Sequence, residues 1–248
     1  MRPLVFLHGV GGGKAVWDRQ MEHFRALGYP CLAWDQSGYG QSPMVEPYDF
    51  QTIAAALREV VGAEPAVIVG HSMGGLLAQE FYARYPEKVA ALALCFTSAA
   101  FAAGTDFARA FVDARIGPLD AGKSMAEIAT DVMPAQRGRI SDAAGLALAQ
   151  RTMAAIAPQT YRKAVHLVTT FDRRADLDRI AVPALLVAGS DDVTAPAQMM
   201  GHMAQKIPGA EFVVLRGCGH LGPMDQPGEF NKVLEGFLKR RLSSQPHG

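Results

Sequence analysis

Gly70-His71-Ser72-Met73-Gly74 stands directly behind the apolar run Ala66-Val67-Ile68-Val69 and directly ahead of a helical pattern over Met73–Tyr85. A strand that becomes a helix within so few residues must bend sharply. The central residue is then forced into a strained backbone conformation, and glycines on either side avoid collisions with strand and helix. Ser72 would project its hydroxyl above the sheet, with a helix N-terminus beneath it that favours developing negative charge. Gly-x-Ser-x-Gly alone can be a turn that merely opens a helix; the flanking strand and helix make it a nucleophile elbow.

Working outward from the elbow, short apolar runs alternate with amphipathic stretches. Strands are expected at Leu4–His8, Pro30–Trp34, Ala66–Gly70, Val89–Phe96, Ala184–Ala188 and Glu211–Leu215. Helices are expected at Ala15–Leu27, Phe50–Val61, Met73–Tyr85, Pro196–Lys206 and Gln226–Arg240. The strands are apolar on both faces, as a parallel sheet covered by helices requires, so the fold class is α/β with a mostly parallel, doubly wound sheet of about six strands. One stretch breaks the alternation. Thr97–Asp178 offers no strand, only helical pieces at Asp106–Ile116, Met125–Met133, Asp142–Ile156 and Thr160–Phe171. The expected division is a core of residues 1–96 and 179–248, with residues 97–178 inserted as a helical lid over one end of the sheet.

A serine hydroxyl needs a base to take its proton. Of seven histidines, His23, His166 and His202 fall in helical patterns, His247 in the tail, and His71 fills the elbow. His220 differs, because Arg216-Gly217-Cys218-Gly219-His220-Leu221-Gly222-Pro223 is a glycine-rich loop after the last strand that can hang an imidazole over the sheet edge. The base in turn needs an orienting carboxylate. Gly189-Ser190-Asp191-Asp192 follows the strand Leu185-Leu186-Val187-Ala188; Asp192 is preferred, and Asp191 stays open as the alternative to a turn or capping role. The order Ser72, Asp192, His220 is the one this architecture carries. Oxyanion donors are expected from the amide of Met73 and from that of Val10 in His8-Gly9-Val10-Gly11-Gly12-Gly13. That loop lacks both the Gly-x-Gly-x-x-Gly spacing of a dinucleotide site and the Gly-Lys-Ser/Thr ending of a phosphate loop, Ala15 following Lys14. Cys218, two residues from His220, reads as loop packing.

Composition bounds the partners. Twenty-four basic residues balance twenty-four acidic ones, which gives no electrostatic reason to expect nucleic acid or an anionic membrane. Hydrophobic residues at 49% and charged residues at 19% exclude a disordered chain. Cys31, Cys95 and Cys218 are too scattered for a disulfide framework or a zinc site. The first apolar run is too short for a signal peptide and no stretch could span a bilayer, so a cytoplasmic location is expected. Ser243–Gly248 reads as a frayed end.

These motifs together resemble the α/β-hydrolase superfamily over nearly the whole chain: His8-Gly9 with Trp17 downstream, Asp35-Gln36-Ser37-Gly38-Tyr39-Gly40-Gln41-Ser42, Gly-His-Ser-Met-Gly-Gly, Gly189…Asp192…Pro196 and Gly219-His220. The resemblance implies that residues 97–178 are a cap domain and that His8 and Asp35–Ser42 are structural. Dehalogenases and epoxide hydrolases of this superfamily carry an aspartate where Ser72 stands. Meta-cleavage carbon–carbon hydrolases usually place Trp after the histidine, where this chain has Leu221. The elbow looks like that of simple esterases, and Arg151–Pro196 is similar to 3-oxoadipate enol-lactonases. The family's usual antiparallel strand pair ahead of the first parallel strand has no counterpart, which would leave Cys31–Trp34 as an open edge where a second copy could pair. The implied activity is a cofactor-free, metal-free serine hydrolase of a small carboxylic ester or lactone. Carbon–carbon cleavage, a catalytically silent binding protein, and peroxide-dependent halogenation as a side activity are the rival readings.

Overall fold

The computed structural model describes residues 1–101 and 104–242. The expected frayed tail, together with Ala102 and Ala103 of the insertion, lies outside the described residues. In chain order the elements are β1 (Leu4–Leu7), α1 (Asp18–Ala26), β2 (Cys31–Trp34), α2 (Phe50–Val61), β3 (Ala66–His71), α3 (Met73–Arg84) and β4 (Val89–Cys95). Then come α4 (Asp106–Asp120), α5 (Met125–Val132), α6 (Ala143–Ala154), α7 (Pro158–Thr169), β5 (Ala184–Gly189), α8 (Ala197–Lys206), β6 (Glu211–Leu215), the short turn α9 (Gly222–Asp225) and α10 (Pro227–Leu242).

The strands form one six-stranded sheet in the order β2-β1-β3-β4-β5-β6, and every neighbouring pair is parallel. Every residue of β1, β3 and β5 is buried, which is why these strands read as unbroken apolar runs. The edge strands differ: β2 is only partly covered, and β6 turns Phe212 and Val214 to solvent. The strand at Cys31–Trp34 is therefore an edge of the sheet.

Prolines mark the ends of two helices in different ways. The last expected helix, Gln226–Arg240, is α10; the short turn α9 precedes it as a separate element, because Pro227 has no N–H to give the carbonyl of Pro223. That carbonyl instead accepts a bond of 2.9 Å from Gln20 Nε2. The opposite happens in α4, which runs through Gly117-Pro118 to Asp120 rather than stopping at Ile116. The carbonyl that Pro118 cannot serve belongs to Ala114, an exposed residue. The expected helix Ala15–Leu27 likewise begins as a 3₁₀ turn at Lys14–Trp17.

Helices α4–α7 lie between β4 and β5, with α4 packed on α7 and α5 on α6. Side chains start three of them: Thr105 caps α4, Ser124 and Glu127 form a reciprocal capping box on α5, and Asp142 caps α6. The chain enters and leaves this insertion through a neck, where Phe101 N donates to Phe171 O at 3.0 Å and Arg173 N to Ala99 O at 2.7 Å. Beneath the neck, Arg173 Nε and Nη2 reach the buried carboxylate of Glu80 on α3 at 2.8 and 2.6 Å.

Candidate active site

The bend from β3 into α3 is as sharp as the sequence requires. Ser72 sits at φ +53° and ψ −118°, outside the regions a side-chain-bearing residue prefers, at a cost of roughly 1–3 kcal/mol. Two glycines make the bend possible. A Cβ on Gly74 would lie 2.2 Å from Leu7 O, and one on Gly70 would lie 2.3 Å from Gly74 O. The Ser72 backbone is tied on both sides: its N–H donates to Cys95 O at 3.0 Å, and its carbonyl accepts from Gly75 N and from Thr97 Oγ1, both at 2.8 Å. With the helix start served by that carbonyl, the Ser72 hydroxyl makes no capping bond.

That hydroxyl lies 2.9 Å from His220 Nε2, and His220 Nδ1 lies 2.8 Å from Asp192 Oδ2. His220 and Asp192 are each only 5% exposed, so these contacts are shielded from competing water. Burial alone would raise the Asp192 pKa. The His220 imidazole beside it, together with amides of Ala195 and Thr194 donating to Oδ1 at 2.9 and 2.8 Å, outweighs that effect and holds the carboxyl below its usual range. An ionised carboxylate only accepts, so the His220 proton belongs on Nδ1. Nε2 is then the lone-pair nitrogen, and the Ser72 O–H donates to it.

The two adjacent aspartates have separate jobs. Asp191 faces Arg139 of the insertion, which reaches Oδ2 with its backbone N–H at 3.0 Å and with Nε at 2.9 Å, and Oδ1 with Nη2 at 3.2 Å. The carboxylate contacting His220 is Asp192, as preferred from the spacing. Cys218 is wholly buried, its thiol pushed up to about 12 chiefly by burial, so it offers no thiolate at neutral pH.

His71 does more than fill the elbow. Its Nε2–H donates to the carbonyl of His220 at 2.7 Å, and burial holds it neutral, its pKa lowered to about 3. His8 is likewise kept neutral, lowered to about 4 by burial, and spends Nδ1–H on Gly9 O at 2.8 Å while Nε2 accepts from Gln36 N. A strap of the insertion, residues 136–140, also supports the histidine loop. His220 N donates to Gln136 O and Ile140 N to Gly217 O, each at 2.8 Å. The backbones touch so closely that a Cβ on Gly219 would meet Gln136 O at 2.3 Å. No side-chain pattern in the sequence signals this strap, because backbone groups make most of the contact.

Above Ser72 lies a cavity of about 350 Å³, walled by the sheet-end loops on one side and by the insertion on the other. Its lining includes Val10, Met73, Phe111, Met133, Met153 and Val165. Neither the Val10 nor the Met73 amide donates a hydrogen bond among the described residues, so both are available to a ligand in that cavity. Lys14, next to the glycine loop, is turned to Asp35 at 3.3 Å. Among the described residues no three His, Cys, Asp or Glu side chains group as metal ligands would, and no helix is long and apolar enough to cross a membrane.

A buried parallel sheet with a strained serine elbow, an aspartate and a histidine on successive strand-end loops defines a hydrolase architecture. The chain belongs to the alpha/beta hydrolase family, whose model matches residues 4–233. Among curated proteins it is 28% identical over 249 residues to the pimeloyl-[acyl-carrier protein] methyl ester esterase of Neisseria meningitidis serogroup B, covering 98% of this chain and 95% of that protein. Among solved structures it is similar to an esterase from Exiguobacterium antarcticum (TM-score 0.87, 22% identity, 96% of this chain and 92% of that one). It is also similar to the enol-lactonase from Burkholderia xenovorans LB400 (TM-score 0.83, 24% identity, 96% and 91%). At these identities the two structures speak for the fold.

Proposed function

We propose that this hydrolase cleaves a small carboxylic ester or lactone through an acyl-enzyme formed on Ser72. The observation that carries the reading is the unbroken contact chain from Ser72 Oγ through His220 to Asp192. In this mechanism Ser72 attacks the carbonyl carbon while its proton passes to His220 Nε2. Asp192, fixed by two amides, stabilises the imidazolium. The oxyanion settles against the Val10 and Met73 amides, each worth roughly 3–4 kcal/mol of barrier. His220 returns the proton to the departing alkoxide, then takes one from the water that frees the acid. The chemistry calls for no metal or organic cofactor. Residues 97–178 act as a cap whose apolar wall receives the substrate. The named ester specificity of the Neisseria relative supports the bond type.

Ser72→Ala tests the reading directly. Turnover of short acyl esters should fall by roughly four orders of magnitude or more, with the fold intact by circular dichroism. Hydrolysis persisting at the wild-type rate in that variant would remove Ser72 from the mechanism.

A further inference from the structure

The cavity wall supplied by the insertion is apolar with one marked exception. On α4, Phe107, Phe111 and Arg115 all line the cavity. They stand four residues apart, so they form one stripe along the helix. Facing it on α7 are Tyr161, Val165 and Val168. Arg115 is the sole lining side chain of fixed charge among the described residues, and its guanidinium lies over the Phe111 ring, 5.5 Å from the centroid. Its charge and a hydrogen bond it donates to the buried hydroxyl of Tyr161 oppose the upward push of burial on that group.

Several other arginines of the insertion and its neck are neutralised, and Arg137 and Arg151, which like Arg115 have no ion pair among the described residues, do not line the cavity. Arg109 pairs with Asp106, Arg139 with Asp191, Arg162 with Asp120, and Arg173 with Glu80 and Asp176. Arg115 has no acidic partner within ion-pair distance among the described residues. A half-buried cation in an apolar cavity loses hydration without gaining a counter-ion, and a ligand carboxylate would restore the balance with charge-assisted, fork-shaped hydrogen bonds. The location suits this. Arg115 and Tyr161 line the same cavity as Ser72 and Val10.

We infer that Arg115 is a specificity-determining residue, selecting esters or lactones that carry a free carboxylate at the end away from the scissile bond, such as half-esters of dicarboxylic acids. The inference rests on the Ser72 hydrolase reading for where the scissile bond sits, and takes the partner chemistry from a guanidinium with no acidic partner among the described residues. Tyr161, a neutral neighbour, adds a second donor at the same corner. A single positive charge matches one carboxylate better than a doubly charged phosphate.

The test compares monoethyl adipate with ethyl hexanoate, which share a six-carbon acyl chain and differ in the terminal acid. Wild-type protein should favour the half-ester in kcat/KM. Arg115→Gln should cut that preference about 10- to 100-fold, mainly through KM, and Arg115→Lys should keep part of it. Equal losses on both esters, or an unchanged preference, would overturn the inference while leaving the hydrolase reading intact. A second arm needs no turnover: calorimetric titration of monoethyl adipate into Ser72→Ala and into Ser72→Ala/Arg115→Gln. Binding that depends on Arg115 supports the carboxylate corner even if the wild type hydrolyses neither ester, an outcome that would sink the hydrolase reading alone. Equal binding to both variants contradicts the corner.

Discussion

The sheet-end loops and the helical insertion meet across one cavity, yet they are built on different principles. On the sheet side, Ser72, Asp192 and His220 are each held by backbone bonds in the loops that follow β3, β5 and β6. Asp192 accepts from two amides, and Ser72 is pinned through its own N–H and carbonyl. On the insertion side the wall is a set of helical stripes, whose apolar side chains can be exchanged without touching the reacting groups. On the proposed mechanism, chemistry is placed where the backbone over-determines geometry, and selection where side chains alone decide it. The strap at residues 136–140 is the exception, an insertion segment bonded directly to the histidine loop.

The contrast breaks most visibly if adjacent aspartates behave alike. Asp192→Asn should lower kcat on the order of 10²–10⁴-fold, since an amide in place of the carboxylate no longer stabilises the imidazolium or fixes its tautomer. Asp191→Asn, one residue away, should cost no more than a few-fold. Steady-state kinetics on one ester checks both, and similar losses in the pair would contradict the division of roles.

That pair also shows how far the sequence could be read. The six strands and the elbow were legible because burial on both faces leaves unbroken apolar runs, and because the close approach of Gly74 to Leu7 tolerates no side chain. The spacing favoured Asp192 over its neighbour without excluding Asp191. What separates them is Arg139, fifty-two residues away in sequence, whose fork occupies Asp191. The strap and the His71 bond to the His220 carbonyl were illegible for a related reason: a backbone carbonyl that accepts a bond leaves no residue pattern at its position. The extent of α4 was missed because Pro118 is harmless only where the orphaned carbonyl faces water, which no local signal reveals.

A second prediction concerns acid stability of the sheet side. His8 and His71 are held neutral when folded, at about 4 and about 3 against an ordinary 6.5. As pH falls below 6.5 the unfolded chain binds protons that the folded one refuses, so stability is full above that value and is lost on the way down towards pH 4 and 3. Between pH 7 and 5 the loss should be on the order of 4 kcal/mol, from about 1.4 kcal/mol per pH unit below 6.5 for each histidine. Urea unfolding at the two pH values measures it, and a flat profile would show that these imidazoles are not held neutral.

The smallest effect is expected at the exception. Arg139→Ala removes an exposed contact, so the unfolding midpoint should scarcely move. If the strap nevertheless seats His220, kcat should fall about two- to fivefold with KM unchanged, and Arg139→Lys should recover part of the loss. A change in KM alone would assign Arg139 to the binding wall instead.

Intact-protein mass spectrometry after incubation with a fluorophosphonate, which captures activated serine hydroxyls, reads the proposed covalent bond to Ser72 most directly. A single adduct is expected, mapped to the peptide carrying Ser72, lost in Ser72→Ala and slowed strongly in Asp192→Asn. An adduct at another residue, or none in a wild-type sample that still hydrolyses esters, would contradict it.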